Sequence, residues 1–351
     1  VKPTLCIINY NGVRILPATL DAAGAIAEQF ERIIVVDDCS TDDSIALIQR
    51  DYPAIDIIRQ PQNKGPGAAR NAGMRAARSD LIIVADNDVA LTANCVEHLL
   101  AALKQNPRAV VAAPAVIYAH RRDTIQYDGA ECHCLGVQTL LDEDRLISSV
   151  SDAVRKVGSL VSCCFLIDRS RLASLELFDE SFFIYFEDHD FGVRLRAMGA
   201  EVLSVPQAHC YHGSGTEGLS IRQLGSYSSR RVFYLIRNRW LFLLKNFSLR
   251  TLVVMAPLMV FYECAQLVIV IKKRWWREWG RSFAWVFTHL SETLRERRRI
   301  QGLRRVPDRQ LLIGGSVPFR SELSTSALER LARRVLDVVV QSYWKLASAL
   351  I

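Results

Sequence analysis

The chain has 351 residues, of which half are hydrophobic and 23 % charged, a balance that excludes general disorder and allows one large domain or two smaller ones. Its net charge of +7 is unevenly spread: Lys272 to Arg309 holds twelve Lys or Arg against four Asp or Glu, a local surface suited to phosphates or anionic lipid. The nine cysteines form no repeated Cys-x-x-Cys pair and several sit in apolar runs, so they read as mostly buried thiols of a reducing compartment. Lys2-Pro3 leads directly into a strand pattern, with no signal peptide before it.

In chain order, Thr4 to Asn9 reads as a strand, followed by a turn at Tyr10-Asn11-Gly12. A helix follows over Arg14 to Phe30, with apolar residues at helical spacing. Arg32 to Val36 is a second strand, left by Asp37-Asp38, and a short helix covers Ser44 to Arg50. Ile55 to Arg59 is a third strand, Asn63 to Gly67 a glycine-rich loop, and Ala68 to Ala77 a helix of small residues. The central stretch is Leu81 to Ala85, five apolar residues that run into Asp86-Asn87-Asp88. This alternation predicts a mostly parallel sheet covered by helices, an α/β fold that binds ligands at the C-terminal edge of its strands.

Downstream, Thr92 to Gln105 reads as a helix and Ala109 to Tyr118 as a strand. Residues 120 to 155 are polar and irregular, with no motif. Val161 to Ile167 is a strand. Glu187-Asp188-His189-Asp190 precedes a helix from Phe191 to Met198, and Glu201 to Val205 is a short strand. His209 to Thr216 reads as a loop rich in Gly and His. Beyond about residue 220 the character changes. Tyr227 to Phe247 is aromatic and studded with Arg, and Thr251 to Ile271 is nearly unbroken apolar sequence, long enough for a membrane span. Pro257, Glu263 and Gln266 interrupt it, which fits a bent, re-entrant or interfacial helix equally well. The Lys272 to Trp279 cluster has the composition of an interfacial anchor. A last amphipathic helix is expected over Glu329 to Leu350.

Three acidic clusters stand out. Asp37 follows a strand, where an acid can accept hydrogen bonds from a base or a ribose. Asp86 and Asp88 supply the hard oxygen ligands that Mg²⁺ or Mn²⁺ favours, and such an ion leaves room for substrate phosphates. Lys64 and Arg70 are placed to balance diphosphate charge. Asp188 is the candidate general base for an acceptor hydroxyl, with Glu187 beside it to raise its pKa or orient it. His212 is a candidate third metal ligand or diphosphate contact. No P-loop is present and no Gly-x-Gly-x-x-Gly follows the first strand, which argues against an NTPase and a dinucleotide dehydrogenase. His209-Cys210-x-His212 has no second cysteine pair, so zinc is disfavoured. No nucleic-acid module accompanies the basic run.

Taken together, Ile8-Asn-Tyr-Asn-Gly12, Val35-Val-Asp-Asp-Cys-Ser-Thr-Asp42, Asn63-Lys-Gly-Pro-Gly-Ala-Ala-Arg-Asn-Ala-Gly73, Asp86-Asn-Asp88, Glu187-Asp-His-Asp190 with Arg194, and His212 resemble the inverting family 2 glycosyltransferases. These have the GT-A fold, and the resemblance leans to the rhamnosyltransferase-like branch of bacterial surface-polysaccharide assembly. It covers about residues 3 to 240. It implies a GT-A α/β domain with a mixed central sheet over 1–225, and a helical, membrane-associated region over 226–351 on the cytoplasmic face of the bacterial inner membrane, monotopic or single-span. It further implies nucleoside binding by Asp37 with Asn9 and Tyr10, and a donor pocket lined by Arg70 and Asn71. Asp88 would be the principal metal ligand, Asp86 would lie nearer the ribose or donor sugar, and His212 would complete the metal or diphosphate site. Asp188 would be the base, with Glu187 placing the acceptor. The donor would be a nucleotide-diphosphate sugar, with dTDP-rhamnose favoured over UDP or GDP sugars. The acceptor would be a polyprenyl-diphosphate-linked saccharide, or polyprenyl phosphate itself in a monosaccharide transferase. Oligomeric state is left open.

Overall fold

A computed structural model describes residues 1–172, 177–213, 228–318 and 327–351. The chain divides into two compact units: Val1–Gly129, Leu141–Gly192 and Ala200–Ser226 form the first, and Ala130–Leu140, Val193–Gly199 and Tyr227–Ile351 the second.

The first unit is built on a mixed sheet. β1 (Thr4–Asn9), β2 (Arg32–Asp37), β3 (Asp56–Arg59) and β4 (Leu81–Asp86) are parallel, in the spatial order β4-β1-β2-β3. The crossovers between them are α1 (Leu16–Gly24), α2 (Ser44–Asp51) and α3 (Pro66–Ala76). β1 and most of β2 and β4 are buried, which is why they read as continuous aliphatic runs rather than alternating ones. On the other side of β4 the sheet continues through antiparallel β11 (Cys164–Asp168), then β6 (Ala109–Tyr118) and β12 (Glu201–His212). The parallel register pairs Asn9 with Asp37 and Ile8 with Asp86, so Asp37 and Asp86 emerge at one edge of the sheet.

Several elements differ from the sequence expectation. The helix expected to run to Phe30 ends at Gly24 and gives way to a 3-10 turn over Ala27–Gln29. The stretch taken as irregular, 120 to 155, contains β7 (Arg121–Tyr127), β8 (Ala130–His133), β9 (Gln138–Leu140) and the start of β10 (Arg155–Val157). Its strands are short and half polar, so they lack an apolar run to reveal them. Strand β12 does not stop at Val205. It continues to His212, with a register break against β6 between Val205 and His209. Pro206 lies in that break and cannot donate to the ladder, which makes the continuous strand look like two pieces in the sequence. Ser214 to Thr216 of the expected loop lie outside the described residues.

Two left-handed positions shape the sheet edge. Cys39 has φ of +62° in the turn after β2, a conformation that costs an L-residue about 1–2 kcal/mol. Its thiol makes only a long contact, 3.9 Å, to the Pro61 carbonyl. Replacing Cys39 by glycine relieves the strain at the expense of chain entropy, and a net gain of about 0.5–1 kcal/mol is expected. A higher urea midpoint for Cys39→Gly checks this, and an unchanged midpoint would show that the turn is unstrained. Gly65, at φ +87°, has no substitute: a Cβ there would lie 2.0 Å from the Phe183 carbonyl oxygen.

The second unit is mainly helical: α6 (Ser229–Asn246), α7 (Leu249–Lys272), α8 (Trp276–Thr288), α9 (Leu290–Leu303) and α10 (Ala327–Ala347). β13 (Leu312–Ile313) joins β8 and β9 in a small three-stranded sheet. Serines cap α6 and α7, Ser228 accepting from the Arg231 amide and Ser248 from the Thr251 amide. Among the described residues α7 is the one helix long and apolar enough to cross a membrane.

Candidate active site

The site gathers at the C-terminal edge of β4, within the first unit. After Asp86 the chain turns through Asn87 and Asp88 into β5 (Val89–Leu91), a short strand the sequence did not reveal. β5 pairs antiparallel with the end of β12, and this register sets His212 opposite Val89. His212 Nε2 thereby lies 3.3 Å from Asp88 Oδ1, with both side chains buried. One ligand atom from each of Asp86, Asp88 and His212 falls within 4.8 Å of the others. The two carboxylates and one imidazole fit a hard or borderline divalent ion. His212 Nδ1 faces Gln126 Oε1 at 2.8 Å, so Nδ1 carries the proton when the ring is neutral and Nε2 keeps its lone pair. That Nε2 is buried and turned toward Asp88 Oδ1, where the three ligand atoms converge.

Burial alone would lower the His212 pKa, but the Cys163 and Asp88 anions outweigh it and raise it to about 10. In the metal-free protein His212 is therefore an imidazolium at neutral pH. Burial pushes the Asp86 carboxyl up, against Arg70, which pulls it down.

Arg70 links this cluster to the second acidic station. It projects from α3 and is 3 % exposed, with Nη2 2.8 Å from Asp86 Oδ1 and Nη1 3.1 Å from Glu187 Oε1. Glu187 opens α5 (Glu187–Ala197), which begins four residues earlier than the sequence suggests; the Asp190 amide already bonds the Phe186 carbonyl. Burial, together with the neighbouring Asp188, raises the Glu187 pKa to about 7 despite Arg70. Asp188 is the less buried of the pair. Its carboxylate accepts from the His189 amide at 2.7 Å and more weakly from the Ser162 amide at 3.4 Å, and burial raises its pKa in spite of Arg70. His189 points into the core, where Ser159 Oγ meets its Nδ1 at 2.6 Å and burial lowers its pKa to about 3. Phe183, Tyr185 and Phe186, just before Glu187, all have positive φ. Strained non-glycine backbone of this kind concentrates at functional sites.

Other residues expected to touch a donor are tied into the fold by hydrogen bonds of their own. Asn9 and Asp37 have no exposed surface, and Asn71 is 2 % exposed. Asp37 accepts from Asn9 Nδ2, the Ser40 amide and the Ser40 hydroxyl. Asn9 Oδ1 accepts in turn from Asn87 Nδ2 at 2.9 Å, so the middle residue of Asp-Asn-Asp ties β4 to the ends of β1 and β2. Gly12 sits against this amide pair, with no room for a Cβ. Asn71 bonds both backbone atoms of Phe178 and the Glu180 carboxylate. Asp38, which carried no expected role, takes the Lys64 and Gly65 amides. Tyr10 is half-buried and Lys64 exposed, so these two expected donor residues present surface. Gln126 was missed because it lies in a segment without a motif. Asn87 was visible between its aspartates but was given no role of its own.

Residues 4–170 match the family model described as glycosyl transferase family 2. The chain is 37 % identical over 86 residues to the succinoglycan biosynthesis protein ExoO of Rhizobium meliloti, covering 24 % of this chain and 25 % of that protein. It is 29 % identical over 205 residues to the N-acetylglucosaminyl-diphospho-decaprenol L-rhamnosyltransferase of Mycobacterium tuberculosis, covering 51 % of this chain and 66 % of that one. It thus spans a quarter of one of these curated relatives and about two thirds of the other. A crystal structure of GalNAc-T7 with UDP, GalNAc and Mn²⁺ superposes with a TM-score of 0.55 at 17 % identity, over 69 % of this chain and 47 % of that one, and shows the shared fold.

Proposed function

We propose, for a chain whose residues 4–170 match the glycosyl transferase family 2 model and whose α/β unit has the GT-A fold, a metal-dependent sugar transfer from a nucleotide-diphosphate donor with inversion at the anomeric carbon. The observation that carries the proposal is the line of charge Asp88–His212, Asp86, Arg70, Glu187, Asp188, which sets a cation site beside a buried acid pair with raised pKa values. Asp86, Asp88 and His212 would hold Mg²⁺ or Mn²⁺. When bound, the ion supplies positive charge for a leaving diphosphate.

The chain's own residues account for the rest. Asp188 takes the proton of an acceptor hydroxyl as that oxygen attacks the anomeric carbon from the side opposite the diphosphate. The C–O bond to the nucleotide breaks as the new one forms, and the configuration inverts. One carboxylate base suffices, because the leaving diphosphate needs charge compensation rather than a proton. Arg70 holds Asp86 and Glu187 at fixed distances, so the donor side and the base side keep their register. Tyr10 and Lys64 meet the nucleotide from two loops, the first following the Asn9–Asp37 pair and the second held by Asp38.

The donor is a UDP sugar, a reading supported by the nucleotide held in the GalNAc-T7 structure of the same fold. A rhamnosyl donor is the second reading, favoured by the mycobacterial relative. That relative's name also supports a lipid-linked saccharide as acceptor, met at a membrane surface by the helical second unit. The test is a screen of UDP, GDP and dTDP sugars for binding and turnover with Mg²⁺ and with Mn²⁺, followed by NMR of the product's anomeric configuration. Metal-dependent consumption of a UDP sugar is expected. Failure to bind any nucleotide sugar with either ion would remove the assignment.

A further inference from the structure

We infer that the second unit docks flat on an anionic bilayer, through one face formed by α7 and α10, and does not cross it. The inference rests on the reading of a membrane-borne acceptor and gives that contact a surface and an orientation.

Helix α7 has two unlike sides. Met255, Leu258, Met259 and Tyr262 are buried in the unit, each at most 5 % exposed. Leu249, Val253, Val260, Val268 and Ile271 are each 63–69 % exposed. At about 100° per residue these five lie on one stripe. Rising about 1.5 Å per residue, the stripe extends over roughly 33 Å. Between Arg250 and Lys272 the stripe carries no charge, because Glu263 lies toward the other side in an ion pair with Arg239. α10 is joined to α7 by the Tyr343 hydroxyl, which donates to the Val254 carbonyl at 2.6 Å. It exposes a second apolar stripe, Leu331, Val335, Val338 and Leu346, flanked by exposed Arg334 and Lys345. Exposed apolar area on this scale calls for a partner.

Charge selects which partner. Exposed Lys272, Lys273, Arg274 and Arg277 surround Trp276, itself 59 % exposed, at the end of the α7 stripe. A second copy would bring the same positive charge to meet them, whereas anionic headgroups complement it and the indole suits the headgroup layer. Crossing is opposed by what α7 packs on. Arg239 pairs with Glu263 and lies 4.7 Å from the Tyr262 ring centre. α6, which carries Arg239, also carries Arg230, Arg231, Arg237 and Lys245, cations that oppose its following α7 into hydrocarbon. A helix with one protein-facing side and one apolar side, ending in basic residues, lies in the interface.

Flotation of the full chain with vesicles of phosphatidylcholine, with and without phosphatidylglycerol, tests this. Cys264, the most exposed cysteine, lies on α7 and serves as a native reporter. Its modification by a polar maleimide is mapped by peptide mass. Binding to anionic vesicles, release by alkaline carbonate and protection of Cys264 on the vesicles are expected. Val260→Glu with Val268→Glu should weaken binding by at least about tenfold, with nucleotide-sugar turnover and thermal midpoint unchanged. Lys272→Glu with Arg274→Glu should abolish the preference for phosphatidylglycerol. Resistance to carbonate would mean a span and overturn the inference. So would a Cys264 that stays reactive on bound vesicles, or a lipid-free dimer that Val260→Glu with Val268→Glu splits. Absence of flotation with any vesicle overturns both the docking face and the membrane reading, whereas loss of the sugar-transfer reading would appear only in the donor screen.

Discussion

Asp188→Asn is expected to leave nucleotide-sugar binding within about twofold and to lower transfer by about 10²–10⁴-fold, the usual worth of a positioned general base. The side chain keeps its size, and its remaining carbonyl oxygen can still accept from the His189 amide. What is lost is the basic oxygen. Glu187 does not replace it, because it is buried and held by Arg70 at 3.1 Å. Binding is measured calorimetrically and transfer by product formation. An Asp188→Asn protein with full activity would sink the mechanism. The acid pair also fixes a pH limb. A base acts only when deprotonated, and Asp188 and Glu187 are both pushed up by burial, Glu187 to about 7. Transfer should therefore fall as pH drops through a region above the ordinary carboxylate range. The apparent pKa belongs to the pair, since the charge on one carboxyl disfavours the second. Asp188→Asn should remove this limb from whatever activity remains, and Glu187→Gln should move it downward by removing the like charge.

How much of this was legible depends on the physical signal each part leaves in the sequence. The parallel half of the sheet was readable because strands buried on both faces need continuous apolar residues, and Leu81 to Ala85 is such a run. Asp86 and Asp88 stood out because two acids directly after a buried strand point at the ligand-binding edge of the sheet, whereas Asp188 shares its place with ordinary helix-start acids and drew notice only as part of an ordered set of motifs. His212 was named as a ligand although its strand was read as a loop, since Pro206 hides the continuation of β12. Gln126 left no trace: a glutamine on a half-polar strand looks like surface, and only the pairing of β6 with both β7 and β12 explains its place beside His212. The internal hydrogen bonds of Asn9, Asp37 and Asn71 were hidden for a related reason. The sequence shows that a polar side chain sits at a strand end, but its direction is set by partners 28, 31 or more than 100 residues away. The two faces of α7 were hidden by an apolar run with no polar side to mark which residues turn inward.

The second large effect is expected at the cation site, and it can be read without any sugar. Asp88→Asn and His212→Ala should each weaken Mn²⁺ binding by at least about 100-fold, while Gln126→Leu, which only frees the ring that Gln126 orients, should cost about 10–100-fold. Titration followed by Mn²⁺ electron paramagnetic resonance measures this directly. The pH dependence gives a sharper test. In the metal-free protein the His212 pKa is raised to about 10, burial being outweighed by Cys163 and Asp88. A cation that takes Nε2 must displace that proton, so affinity should climb with pH by up to about tenfold per unit below pH 10. In His212→Ala this slope should flatten. The stability of the metal-free protein should move in the opposite direction. An imidazolium with a raised folded-state pKa contributes stability that is complete below its unfolded value of about 6.5. That contribution is lost as pH rises through about 10. Raising the pH should therefore strengthen cation binding while it loosens the metal-free fold, and His212→Ala should uncouple the two. Cation affinity independent of pH in the parent protein would mean that His212 does not ligate, and would leave Asp86 and Asp88 as the only protein ligands of the cluster.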